Sequence, residues 1–221
     1  MKVLYEDNHI IIVNKASGEI VQGDKTGDKP LCDIVREWLK AKYDKPGNVF
    51  LGVVHRLDRP VTGAVLFAKT SKALSRLNKM FASHENVRKT YWAIVGNRPP
   101  QESGTLTHWL TRNGQTNTAR AYDREVPGSK KAILDYRIIS SSDKYFLLEV
   151  TLHTGRHHQI RCQLSKIGCP IRGDLKYGAP RSNPDGSISL HARSLSLTHP
   201  VSMKPINVVA PVPDTNLWKA F

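Results

Sequence analysis

The chain is poor in cysteine. Its 221 residues hold three, Cys32, Cys162 and Cys169. So sparse and odd a set argues against a disulfide framework and suits a reducing cytoplasm, the compartment expected for this protein. Long apolar runs are also missing: none approaches the ~20 residues that a membrane-spanning helix needs. The opening MKVLYEDNHI carries acids where a secretory signal would have its apolar stretch, so no membrane partner is expected. There is no Gly-x4-Gly-Lys phosphate loop, and Gly18, Gly23 and Gly27 make no dinucleotide fingerprint. No serine sits in a Gly-x-Ser-x-Gly elbow. Nucleotide hydrolases, nicotinamide-dependent redox enzymes and elbow-type hydrolases therefore lack their signatures.

Acid is scarce in two places. Residues 55–100 hold nine basic side chains against two acidic, and residues 153–181 hold six against one. Residues 1–54 are balanced at eight of each, so the net charge of +14 comes almost wholly from those two stretches. Clustering of this kind favours a polyanion, and nucleic acid is the partner expected. A basic surface that serves only solubility is the plainer alternative. The same scarcity disfavours two-metal nucleases and paired-carboxylate hydrolases, which need clustered acids; the basic stretches offer Asp58, Glu85 and Asp174. His157, His158, Cys162 and Cys169 match no usual zinc spacing, so no metal is expected.

What is present reads as strands with a few helices. His9–Lys15 is a short β-branched strand, and the Ser17–Pro30 segment that follows is a loop. Leu31, Ile34, Val35, Trp38 and Leu39 recur at helical spacing. Gly63–Thr70 reads as a strand, as do Arg88–Gly96 and the tail from Ile188. Between them Leu74, Leu77 and Phe81 mark a helix with Ser71 as its expected cap. Residues 105–152 read as a β-meander. A second capped helix is expected after Thr154, with Ile160, Leu164 and Ile167 on one face and Arg161 on its shoulder. The order is mixed rather than alternating. The expected class is α+β, an extended mixed, mostly antiparallel β-sheet core flanked by helices and loops. One domain over residues 1–221 is expected, as a monomer.

One carboxylate stands out. Asp58 lies in HRLDRPVTG (His55–Gly63), with Arg56 before it and Arg59 after it, between the apolar FLGVV and a turn. Flanking guanidinium groups favour the ionised form. A positioned carboxylate can attack an electrophilic carbon or take a proton. It can equally be half of a structural Arg–Asp pair, and the local residues leave both readings open. Arg161 admits the same pair of readings, as a fork for a carboxylate or as a phosphate contact.

HRLDRPVTG resembles the His-Arg-Leu-Asp motif of the RluA-type RNA pseudouridine synthases. VNKASG (Val13–Gly18), RKTYWAIV (Arg88–Val95), TGRHHQIRCQLSKIGCPIRGD (Thr154–Asp174) and LHARSLSLTHP (Leu190–Pro200) resemble further family segments in the same order. Ala16 departs from the family's usual proline, and Val61-Thr62 from its usual Thr-Ser. The resemblance implies the pseudouridine synthase fold without a separate N-terminal S4 RNA-binding domain. It implies isomerisation of a uridine within rRNA or tRNA, with the base flipped out and no cofactor. It assigns Asp58 as the catalytic aspartate, Tyr91 as the aromatic that packs on the target base, and Arg161 as the arginine that pairs with the aspartate. Arg56 would enter the RNA, and Arg59, His55, Lys89, Arg156, His158 and Gln159 would lie along it. A non-catalytic RNA-binding or ribosome-assembly factor on the same scaffold is the alternative from another class, and a metal-dependent nuclease a third.

Overall fold

A computed structural model describes residues 1–221. The chain divides into two compact units. The first comprises Met1–Arg88 and Ala192–Pro211; the second comprises Lys89–His191 and Val212–Phe221. The chain passes between them three times, inside β5 (Val87–Val95), inside β10 (Leu190–Thr198) and again after Pro211. No helix is long and apolar enough to cross a membrane.

The first unit begins with β1 (Lys2–Glu6), β2 (Ile10–Lys15), α1 (Leu31–Lys42), β3 (Gly52–Val53), β4 (Thr62–Ala68) and α2 (Ser71–Ser83). It closes with β10 and β11 (Pro205–Val209). The strand order is β1-β2-β4-β10, with β3 on β4 and β11 on β10. β2 pairs antiparallel with β4, Ile10 opposite Ala68 and Lys15 opposite Gly63. All seven β4 residues are buried. Period-two alternation sends Ala64, Leu66 and Ala68 to one face, where they pack with Ile10, Ile12, Leu77, Leu195 and Leu197. Val65 and Phe67 point the other way and are equally buried. FLGVV shrinks to the two residues of β3. α2 is capped by Thr70, not Ser71: the Thr70 hydroxyl accepts from the Ala73 N–H at 3.2 Å.

The second unit is a meander of β5, β6 (Ser103–Asn113), β7 (Thr118–Tyr122), β8 (Lys130–Ser141) and β9 (Phe146–Leu152). Its order is β5-β9-β8-β6-β7, antiparallel at every pairing. α3 (Gln159–Lys166) covers a small cluster of Leu110, Ala119, Ala121, Ala132, Cys162 and Tyr177. The terminal α4 (Asn216–Lys219) places Trp218 against Ile94 and Leu147. α3 starts at Gln159, and its cap is His158 in the left-handed region at φ +51°. Thr154, the expected cap, lies outside the helix and does other work described below. The expected one-sided apolar stripe is also wrong: every residue from Gln159 to Leu164 is buried, Arg161 included.

Gly63 shows how tightly the first unit is built. Its φ is +116°, and a Cβ there would stand 2.4 Å from the Ala192 carbonyl oxygen. Gly96 has no atom within 4 Å of the same position. Gly63→Ala is expected to cost about 3 kcal/mol or more, and Gly96→Ala less than about 1 kcal/mol. Urea denaturation of the two variants checks the contrast.

Candidate active site and RNA-facing residues

The first unit carries Asp58. The half-buried residue sits in the connection from β3 to β4. Its carbonyl accepts from the Val61 N–H at 3.0 Å, closing a turn over residues 58–61. Leu57 is buried beside it and anchors the approach. The turn's main support is Lys15, only 1% exposed at the end of β2. Its Nζ donates to the carbonyls of Ala16 (3.0 Å), Arg59 (3.0 Å) and Val61 (2.7 Å). An ammonium has three N–H donors, and each finds a carbonyl. The Arg59 carbonyl also accepts from Gly18 N–H at 2.9 Å. Residues 15–18 and the 58–61 turn are thus sewn together by the Lys15 ammonium and by main chain.

The basic neighbours of Asp58 have different surroundings. Arg59 reaches back to the 17–30 loop, where Nη1 meets Asp28 at 2.6 Å and Nη2 meets the Thr26 hydroxyl at 2.8 Å. Hydrogen bonds within this loop and the Arg59 charge hold the Asp24 carboxyl below the ordinary aspartate value. Asp28 is held low mainly by its bond to Arg59. His55 accepts the Leu66 N–H at its Nε2 (3.0 Å) and stacks on Phe81 with ring centroids 5.0 Å apart. An accepting Nε2 places the proton of the neutral ring on Nδ1. Arg56 is exposed.

The second unit carries Tyr91 and Arg161. Tyr91 stands on β5 opposite Val150 and is 8% exposed. Lys89, two residues earlier, shares its face; it is also buried, and burial lowers its pKa. Trp92 turns to the opposite face. Thr154, Arg156 and Gln159 form a staple to β8. The Thr154 hydroxyl accepts from Ile133 N–H and donates to Gln159 Oε1, each at 2.8 Å. Gln159 Oε1 also accepts from Arg156 N–H (2.9 Å), and its Nε2 donates to the Ile133 carbonyl (3.0 Å). Arg156 is exposed, with its Nε on the Lys131 carbonyl at 3.0 Å.

Arg161 is 5% exposed. Its Nε and Nη2 donate to the two carboxylate oxygens of Asp174, at 2.7 and 2.8 Å. Asp174 is 1% exposed. The Arg161 Nη1 lies 3.1 Å from His158 Nε2. Arginine offers only N–H groups, so His158 Nε2 accepts and its proton sits on Nδ1. That Nδ1–H donates to the Tyr177 hydroxyl oxygen at 2.8 Å, which also accepts from the Ala119 N–H of β7 at 2.7 Å. Burial pushes the Tyr177 hydroxyl up to about 12. The guanidinium lies over the Tyr177 ring, 5.0 Å from its centroid.

The sequence assigns no role to three supporting residues: Lys15 in the first unit, and Asp174 and Tyr177 in the second. The available signals were a lysine closing the apolar run IIIVNK and the single acid among residues 153–181. Asp174 reads from sequence as an isolated acid in a basic stretch. The structure makes it the bidentate partner of Arg161.

Residues 9–166 match the protein family described as RNA pseudouridylate synthase, and the chain belongs to that family. An uncharacterized RNA pseudouridine synthase of Synechocystis sp. is 34% identical over 217 residues, covering 96% of this chain and 66% of the relative. Ribosomal large subunit pseudouridine synthase D of Zymomonas mobilis is 30% identical over 223 residues, covering 96% of this chain and 69% of the relative. The chain therefore spans about two thirds of the length of these relatives. The solved structure of human RNA Pseudouridylate Synthase Domain Containing 4 has the same fold, with a TM-score of 0.80 at 24% identity. That likeness covers 96% of this chain and 89% of the human one.

Lys15 offers a test by pH. Burial brings its pKa from 10.5 down to about 8, against the opposing pull of Glu19 and Asp58. Between those values the unfolded lysine keeps its proton and the folded one has released it. Stability therefore gains an upward slope with pH from this group between about 8 and 10.5. Urea unfolding across that window is expected to show the slope in the native protein and not in Lys15→Met. At pH 7 the Lys15→Met variant is expected to lose about 2–4 kcal/mol, because buried carbonyls lose their donor.

Proposed function

We propose that this protein isomerises uridine to pseudouridine in rRNA or tRNA, with Asp58 as its catalytic residue. The observation that carries the reading is the support beneath Asp58. A surface ion pair needs no buried ammonium holding two carbonyls of its turn and a third beside it. A carboxylate that must meet a reacting atom repeatedly in one pose does.

The reaction balances within the nucleoside. The N1–C1′ bond breaks, the uracil turns, and a C5–C1′ bond forms; C5 gives up its proton and N1 ends with one. Nothing is oxidised or reduced, so no redox partner enters. Asp58 can start this sequence by attack on the base, by attack on C1′, or by removing the C2′ proton. All three routes begin from an ionised carboxylate on a fixed turn. The target base leaves its stack to be reached, and Tyr91 offers it an aromatic face. Arg56, exposed two residues before Asp58, follows the RNA strand as the base departs. Arg161 is the cation that steadies negative charge during the reaction. Arg156 meets phosphate at the surface. The internal bonds of His55, Arg59, His158 and Gln159 favour holding the site over touching RNA, and the burial of Lys89 favours the same.

The test is conversion of uridine in purified bulk rRNA and tRNA, read by nucleoside mass spectrometry. Asp58→Asn is expected to lower conversion by at least about 10³-fold while RNA affinity stays within a few-fold. Normal turnover by that variant would remove Asp58 from the chemistry. RNA binding by the native protein without any conversion would favour the assembly-factor reading. Tyr91→Phe is expected to keep most activity and Tyr91→Ala to lose about 10²-fold, the difference being the stacking face. Two equally active variants would take Tyr91 out of the site.

A further inference from the structure

We infer that Asp174 is a positioning residue for Arg161, and that His158 and Tyr177 complete the clamp. The inference rests on the proposed role of Arg161 in the reaction. Its own evidence is how the guanidinium is held. Asp174 takes Nε–H and one Nη2–H as a side-on fork, and His158 takes one N–H of Nη1. Three of five donors are thus used from two directions, fixing the plane of the group and its rotation within that plane. The other two, one on each Nη, lie outside this set.

Each clamping residue is itself fixed. Asp174 N–H donates to the Ile171 carbonyl, and its own carbonyl accepts from Tyr177 and Ala179, all at 3.0 Å. Gly173 just before it has φ +88°, and a Cβ there would stand 2.7 Å from the Ser187 carbonyl oxygen. His158 is set by its left-handed backbone and by stacking on His157, with ring centroids 3.8 Å apart. Tyr177 is tied to β7 through Ala119 N–H. The guanidinium is therefore oriented jointly by α3, by the 171–177 turn and by the edge strand β7. A buried ion pair is seldom the most stable way to fill its volume, since desolvation of both charges opposes the attraction. Side-on use of one fork is what orientation of an arginine requires.

The experiment is a double-mutant cycle on the full chain, reading single-turnover conversion at saturating RNA together with RNA affinity. Asp174→Asn keeps the shape and removes the second acceptor oxygen and the charge. Alone it is expected to lower the rate about 10–100-fold with RNA affinity within threefold. Arg161→Lys keeps a charge but has no fork, and is expected to be slow yet measurable. In that background Asp174→Asn is expected to cost less than threefold, because its effect runs through the fork. Losses that multiply independently would overturn the inference while leaving the role of Arg161 intact. Matched losses of rate and affinity in Asp174→Asn would overturn it too. Wild-type conversion by Arg161→Lys would overturn the role of Arg161 and the inference with it. Should Asp174→Asn not fold, Tyr177→Phe takes its place: it keeps the ring over Arg161 and removes only the hydroxyl. Its rate loss is expected to vanish in the Arg161→Lys background, and persistence of that loss would overturn the inference.

Discussion

The structure of the first unit depends on one buried ammonium. Lys15 brings a charge to the end of a strand whose other inward residues are isoleucine and valine. Three carbonyls accept its protons, and two of them belong to the turn that follows Asp58. Without those bonds the turn would present unsatisfied carbonyls to a dry interior. With them it has one low-energy arrangement. The stiffness that the candidate catalytic carboxylate needs comes from main chain and from a residue outside its own motif.

The second unit solves a related problem differently. Arg161 is buried, which opposes a charge, and the cost is offset by a bidentate acid and a histidine acceptor. Here side chains rather than carbonyls do the holding. The staple formed by Thr154 and Gln159 keeps the start of α3 on β8. Residues of the Thr-Gly-Arg-x-His-Gln-Ile-Arg block thus divide their labour. Gln159 and Thr154 hold backbone, His158 passes Arg161 to Tyr177, and Arg156 stays at the surface.

Much of this was legible in the sequence, for physical reasons that can be named. β2 and β4 are short β-branched or apolar runs with no competing helical period, so they read correctly. α1 and α2 read correctly because their apolar residues recur at helical spacing. α3 differs from the sequence expectation at its start and in its exposure, because its first six residues are all buried and include polar ones whose partners lie far along the chain. Gln159 looks like a surface residue until Ile133 is placed beside it. Arg59 and Asp28 lie 31 residues apart, and their bond is equally invisible in a linear reading. Asp58 stands out by its motif, while Lys15, which supports its turn, is visible only as part of a resemblance. Contacts between near neighbours leave a pattern in sequence; contacts closed over 26, 31 or 44 residues do not.

The division of the chain has a consequence for its synthesis. The first unit is discontinuous: β4 ends at Ala68, and the strand that flanks it returns to that unit only at Ala192. The intervening residues must all be made before β4, already paired with β2, gains its second neighbour. At ordinary rates of chain growth that delay is on the order of 10 s. For that time one edge of the most apolar strand in the unit stands open, and the Asp58 turn stays tied to Lys15 without the wall that Gly63 fits against. The second unit has no such wait for its meander, whose strands pair with neighbours in order of appearance apart from β5. Each unit is therefore completed late, the first by Ala192–Pro211 and the second by Val212–Phe221, and the turn bearing the candidate catalytic aspartate gains its wall only once most of residues 1–221 have been made.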